Sequence, residues 1–146
     1  MFLKLYTSVG WIAPCKEQVE RALENTLASF VAYEDDKPVG MVRILGDNGM
    51  SFYIKDFAVI PKYQGKGIGK LLISEVQNYI LSNIDKDWSV SLELISTKEG
   101  VKFYKKNGFE ERPCEWDGPG MFKMIKITDW SIGMKFVYFM FYVIVK

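Results

Sequence analysis

The chain has 146 residues, of which 49% are hydrophobic and 25% charged, which suits one folded domain with a real core and excludes wholesale disorder. Nineteen basic against eighteen acidic side chains leave a net charge of +1, so no overall field draws the chain to nucleic acid or to an anionic membrane. Histidine is absent, which removes imidazole as catalytic base, metal ligand or triad member and prunes most hydrolase chemistries.

Cys15 and Cys114 have neither metal-knuckle spacing nor the density of a disulfide scaffold. Free thiols in a reducing cytoplasm are expected, with no metal site. No basic segment followed by an apolar one opens the chain, so no secretory leader is expected.

In chain order, a short helical stretch is predicted over Phe2–Trp11. A second helix runs over Lys16–Leu27 behind Pro14, with Val19, Ala22, Leu23 and Leu27 on one face. Ala28–Tyr33 and Val39–Leu45 read as strands of a hairpin turned at residues 34–38. After the turn Asp47-Asn48-Gly49, the run Ser51–Ile60 is rich in aromatic and β-branched residues and ends against Pro61, which marks a third strand. A glycine-rich loop leads into a helix whose Ile68, Leu71, Leu72, Val76, Tyr79 and Ile80 recur at helical spacing. Trp88–Ile95 is predicted as a strand and Thr97–Lys106 as a helix stopped by Asn107-Gly108. Phe109–Glu115 and Met121–Ile127 are short strand candidates.

The loop Gln64-Gly65-Lys66-Gly67-Ile68-Gly69-Lys70 lets the backbone approach a ligand, and the helix start behind it adds about half a positive charge. A pyrophosphate suits such a place. The spacing excludes a P-loop, which needs Gly at position 64 and Ser or Thr at 71. It also excludes dinucleotide fingerprints, which need Gly at 70 or 72.

What remains, Gln-x-x-Gly-x-Gly behind Val59-Ile60-Pro61, resembles the coenzyme A loop of the GCN5-related N-acetyltransferase superfamily. A second motif stands where that family has one, at Phe103-Tyr104-Lys105-Lys106-Asn107-Gly108-Phe109, and the resemblance covers residues 28 to 127. A narrower likeness, through Leu5–Trp11, Asp56–Gln64 and Gly118–Phe122, is to the plastid serotonin N-acetyltransferases and their bacterial relatives.

The resemblance implies an α/β (α+β) fold, with a mixed, mostly antiparallel central sheet flanked by helices, over a domain at residues 1–128. It implies acetyl-CoA as acyl donor, bound in a cleft between strands near Val59 and Leu92, and a small-molecule primary amine as acceptor. A protein lysine or a noncatalytic acyl-CoA-binding role are the alternatives. On the family pattern, Phe57, Ala58 and Val59 pair with the pantetheine arm, with side-chain identity of little account there. Gln64, Gly65, Lys66, Gly67, Ile68, Gly69 and Lys70 hold the pyrophosphate, and Phe103 and Lys106 complete the cofactor set. Tyr104 donates a proton to the leaving thiolate.

A primary amine with a pKa of about 10 must lose a proton before it attacks. Without histidine, Asp56 is the first candidate for that base, or for the anchor of the ammonium group, and Glu93 the second. Tyr6, Trp11 and Tyr53 are candidates to wall an amine pocket.

Two departures from the pattern stand out: the expected first strand is missing, and residues 129–146 form an apolar extension. Its ten-residue run Phe136–Val145 is shorter than the ~20 residues of a membrane-spanning helix. It reads as a strand added to the sheet or exchanged with a partner subunit in a homodimer.

Overall fold

The computed structural model describes residues 1–121. These fall into two compact units, Met1–Glu111 and the residues from Arg112 onward. In the first, strands β1 (Ala28–Glu34), β2 (Lys37–Gly46), β3 (Ser51–Val59) and β4 (Ser91–Glu93) lie in the order β1-β2-β3-β4. The first two ladders are antiparallel and β3 pairs with β4 in parallel. Helices α1 (Phe2–Ser8), α2 (Lys16–Glu24), α3 (Ile68–Asn83) and α4 (Val101–Lys106) complete the unit. The expected mixed, mostly antiparallel sheet with flanking helices is what forms.

Leu72, Ile73, Val76 and Ile80 of α3 recur at helical spacing and bury against Val42, Ile44, Phe52 and Ile54 of the sheet. Each such side chain contributes about 1.5–3 kcal/mol through burial. Gly40 lets α3 sit close, since a Cβ there would stand 3.2 Å from Ile68 Cγ2 and Leu72 Cδ1. The other face of the sheet carries a smaller cluster, with Leu5 of α1 packed on Met41 and Ala58.

β3 contains a bulge. Arg43 faces Lys55 and Met41 faces Ala58, so Asp56 and Phe57 together oppose Val42 alone. Asp56 adopts φ 50 to accommodate the extra residue.

Several sequence expectations change. The second helix stops at Glu24, and Leu27 instead donates its N–H to Ile44 O at 2.9 Å. Its N-cap is Cys15, so Pro14 precedes the helix and is not its first residue. β2 begins at Lys37, because the hairpin turn needs only Asp35, at φ 50, and Asp36. The strand expected over Trp88–Ile95 shrinks to Ser91–Glu93, the only stretch with a β3 partner. The helix expected from Thr97 starts at Val101, after a turn closed by Gly100 N–H to Thr97 O.

Phe109–Glu115 forms no strand. Phe109 packs against the core of the first unit, while in the second unit Cys114 and Asp117 make an isolated bridge and Arg112 Nε lies 2.5 Å from Asp117 Oδ2. The expectations for residues 122–127, for a domain boundary at 128 and for the apolar extension lie outside the described residues. Among the described residues no helix is long and apolar enough to cross a membrane.

Candidate active site

The ladder between β3 and β4 ends early. Its rungs are Ser51–Ser91, Phe52–Leu92 and Tyr53–Glu93, yet β3 runs on to Val59. Among the described residues β3 has no rung along that edge from Ile54 onward, so β3 and β4 part beyond Tyr53 and Glu93 and leave this edge open. Leu92 therefore belongs to the paired end, whereas Val59 lies in the part of β3 that has no β4 rung. Ile60 donates to Val39 O at 2.9 Å on the β2 side, so strand alternation turns the Val59 peptide groups toward the open edge. There the Val59 carbonyl accepts from Gln64 Nε2 at 2.9 Å. Gln64, predicted to meet the cofactor, thus ties the loop to the strand end.

The chain then passes through a 3-10 turn, Pro61–Tyr63, into the glycine loop. Gly65 at φ 76 and Gly67 at φ 88 occupy the left-handed region, and a Cβ on either would meet open space. Their requirement is conformational, and the loop leaves room beside its backbone. Gly67 caps α3 without a side-chain bond, and no acidic residue stands in the first turn. The N–H groups of Ile68, Gly69 and Lys70 lie in that turn, where an α-helix offers donors without intrahelical acceptors. Lys62 and Lys66 place their ammonium groups 4.8 and 4.9 Å from the Tyr63 ring centroid, which fixes two cations beside the loop.

Gly69 has a different role. A Cβ there would come within 3.0 Å of the Phe103 ring, so α3 and α4 meet at this point. Phe103 in turn lies 5.7 Å from Phe57 and 5.1 Å from Tyr104, and Tyr104 lies 5.8 Å from Phe57 and 5.6 Å from Phe109. This aromatic group joins the open strand to α4. The side chain at Phe57, expected to matter little, is one of its members. Burial pushes the Tyr104 hydroxyl up to about 12, so it stays protonated at neutral pH. Lys106, at the end of α4, is exposed.

Phe57 and Val59 face the α3 cluster, whereas Ala58 faces α1. On the α1 face, Tyr6 and Trp11 meet edge to face at 4.8 Å. Burial raises the Tyr6 hydroxyl, and the nearby Asp56 carboxylate raises it further. Tyr53 and Glu93 form a second pair at the last β3–β4 rung, where burial and then Glu93 raise the Tyr53 hydroxyl.

Asp56 is engaged. Its Oδ2 accepts from Arg43 Nε at 2.7 Å and lies 2.7 Å from Arg43 Nη2, with both side chains 9% exposed. The carboxylate proposed from sequence for proton transfer is therefore half of a buried ion pair. Arg43 was missed, although a lone cation inside the apolar strand Val39–Leu45 was the available signal.

The sheet, the parted strands and the loop between β3 and α3 define a family. Residues 25–111 match the acetyltransferase (GNAT) domain, and the chain belongs to that family. It is 33% identical over 124 residues to an uncharacterised N-acetyltransferase, ycf52, of Pyropia yezoensis, covering 82% of this chain and 67% of that protein. It is 34% identical over 120 residues to a Glycine max protein named histone acetyltransferase TAP1, covering 75% of this chain and 50% of that one. Among solved structures, a Staphylococcus aureus protein of unknown function described as a probable acetyltransferase aligns with a TM-score of 0.73 at 33% identity, covering 85% of this chain and 90% of that one. The chain thus spans about two thirds of the first of these curated relatives and half of the second.

Proposed function

We propose that this chain is an N-acetyltransferase that takes its acetyl group from acetyl-CoA and passes it directly to a primary amine. The observation that carries the reading is the edge of β3 from Ile54 to Val59, which has no β4 rung among the described residues, together with the start of α3 behind Gly65 and Gly67, which no side chain caps. An extended amide arm fits along such an edge, and a pyrophosphate suits the N–H groups of Ile68, Gly69 and Lys70 with Lys66 beside them. Lys106 adds charge on the α4 side. When bound, acetyl-CoA supplies an activated acyl group with a thiolate leaving group.

The chain's own residues supply the rest. The Val59 N–H orients the donor along β3. Tyr104, a phenol protonated at neutral pH, donates to the developing thiolate, a step of the kind worth ~10²–10⁴ in rate. Glu93, at the rung where the strands part, takes the proton from the attacking amine, directly or through water. Tyr6, Trp11 and Tyr53 line the acceptor side, and their rings suit a cation or an aromatic amine. The proposed acceptor is an arylalkylamine, the class that the sequence resemblance to the serotonin group implies, or a polyamine. The proposed setting is a reducing cytoplasm, in which Cys15 and Cys114 stay as thiols.

The name of the Glycine max relative favours one second reading, a lysine side chain of a protein as acceptor. Calorimetric titration with acetyl-CoA, followed by thiol release with small amines and with lysine peptides, tests both. Saturable binding with turnover on small amines supports the first reading, and turnover on peptides alone supports the second. Binding without turnover on either class contradicts the enzyme and leaves an acyl-CoA-binding module.

A further inference from the structure

Beside the open edge, Asp56 holds a left-handed backbone at φ 50, which disfavours every residue except glycine and is least unfavourable for Asn and Asp. Such a conformation persists only where its surroundings fix it. Arg43 provides that hold. Its Nε and Nη2 grip Asp56 Oδ2, while Nη1 donates to Ala22 O at 2.9 Å and Thr26 Oγ1 at 2.6 Å around the end of α2. The Phe2 ring of α1 lies 5.8 Å from the guanidinium carbon. One buried cation therefore joins the bulge to two helices.

The bulge sets the direction in which the last residues of β3 point. Were the alternation of Ile54 and Lys55 to continue unbroken through the same residues, Phe57 would face α1 and Ala58 would face α3. With it, Phe57 meets Phe103 and Tyr104 while Ala58 joins Leu5 and Met41. We propose that Arg43 is a positioning residue for acetyl transfer, acting through Asp56 to fix the bulge that turns Phe57 toward Tyr104 and the Val59 peptide toward the open edge. Asp56 then serves as the partner of Arg43 and not as the proton acceptor. The inference rests on the acetyltransferase reading above.

The test uses the full chain as Arg43→Met, Arg43→Lys, Asp56→Asn and the double variant Arg43→Met/Asp56→Gly, each checked for folding by circular dichroism. The double variant leaves no buried unpaired charge and puts glycine where the backbone is left-handed, so it carries the test if a single variant fails to fold. Readouts are acetyl-CoA affinity by calorimetry, kcat and KM for thiol release, and the pH profile of kcat/KM.

Arg43→Met is expected to weaken acetyl-CoA binding ~10-fold and lower kcat ~10–100-fold, with partial recovery in Arg43→Lys. Asp56→Asn should fall by a similar factor and keep the acidic limb of its pH profile. The double variant should recover to within ~10-fold of the parent. The proposal is overturned if Asp56→Asn loses the acidic limb, if Arg43→Met leaves affinity and kcat unchanged, or if the folded double variant stays as impaired as the worse single one. A parent chain that binds acetyl-CoA without turnover defeats the acetyltransferase reading instead, and the affinities still decide the role of Arg43.

Discussion

Alanine at position 69 puts a methyl group 3.0 Å from Cε2 and Cζ of Phe103. Carbon atoms rest at about 3.5–4.0 Å, so the ring must retreat by roughly 0.5–1 Å. Two stability effects then oppose each other. Overpacking costs about 1–3 kcal/mol, while alanine in place of helical glycine returns up to about 1 kcal/mol. The net loss is about 0–3 kcal/mol, or up to several degrees in Tm for a chain of this size.

Activity should suffer more, because Phe103 packs on both Phe57 and Tyr104. A displacement approaching 1 Å in such a group can cost ~10²-fold, so Gly69→Ala is expected to lower kcat ~10–100-fold while the protein remains folded at assay temperature. Differential scanning fluorimetry and thiol release measured on the same sample provide the comparison. Combining Gly69→Ala with Phe103→Leu, which removes the ring, should restore Tm without restoring kcat. A Gly69→Ala chain with parental kcat and parental Tm refutes the coupling of α3 to the aromatic group.

Two further predictions concern pH. The Tyr104 hydroxyl is raised by burial to about 12 when folded, against an ordinary value of 10.0. Its contribution to stability is therefore complete below pH 10 and is lost as pH rises toward 12, because the unfolded chain releases that proton first. Urea titrations should show the parent losing more stability than Tyr104→Phe between pH 10 and 12, and any basic limb of kcat below pH 10 should survive in Tyr104→Phe. Asp47 runs the other way: the N–H groups of Ser51, Gly49 and Met50 lower its carboxyl to about 2. Its contribution is present above pH 4 and lost as pH falls through 2, so the Tm deficit of Asp47→Ala at pH 7 should shrink across that window. A deficit independent of pH contradicts the assignment.

Local patterns carried much of the fold. The apolar spacing of Ile68 to Ile80, the hairpin signals around Asp35 and the glycine spacing at 65, 67 and 69 each arise from chemistry within a few residues, and the corresponding elements form, although Leu71 of the expected apolar face is 55% exposed and Ile73 is buried in addition. Trp88–Ile95 did not form in full: its rungs to β3 begin at Ser51 and stop at Tyr53 although β3 runs on to Val59, so its length is set by where the two strands part. That limit is nonlocal.

The same holds at the site. Tyr104 and the glycine loop stood out by motif, but that Phe103 rests on Gly69, and that Gln64 turns back to Val59, depends on how α4 and the loop pack. Asp56 stood out as the first candidate for the base or the ammonium anchor. Its partner Arg43 lies on the neighbouring strand thirteen positions earlier, and the bulge that brings them together leaves no periodic trace in the sequence.

If Tyr104 and the open edge of β3 serve acetyl transfer from acetyl-CoA to an amine, removing the Tyr104 hydroxyl must slow that transfer without loosening the donor. Thiol release from acetyl-CoA by the parent chain and by Tyr104→Phe, against serotonin, tryptamine, polyamines, free lysine and lysine peptides, tests this most directly. Amine-dependent release by the parent is expected, with kcat ~10²–10⁴-fold lower in Tyr104→Phe and acetyl-CoA affinity within about twofold. Parental kcat in Tyr104→Phe, or a change confined to KM, contradicts that role.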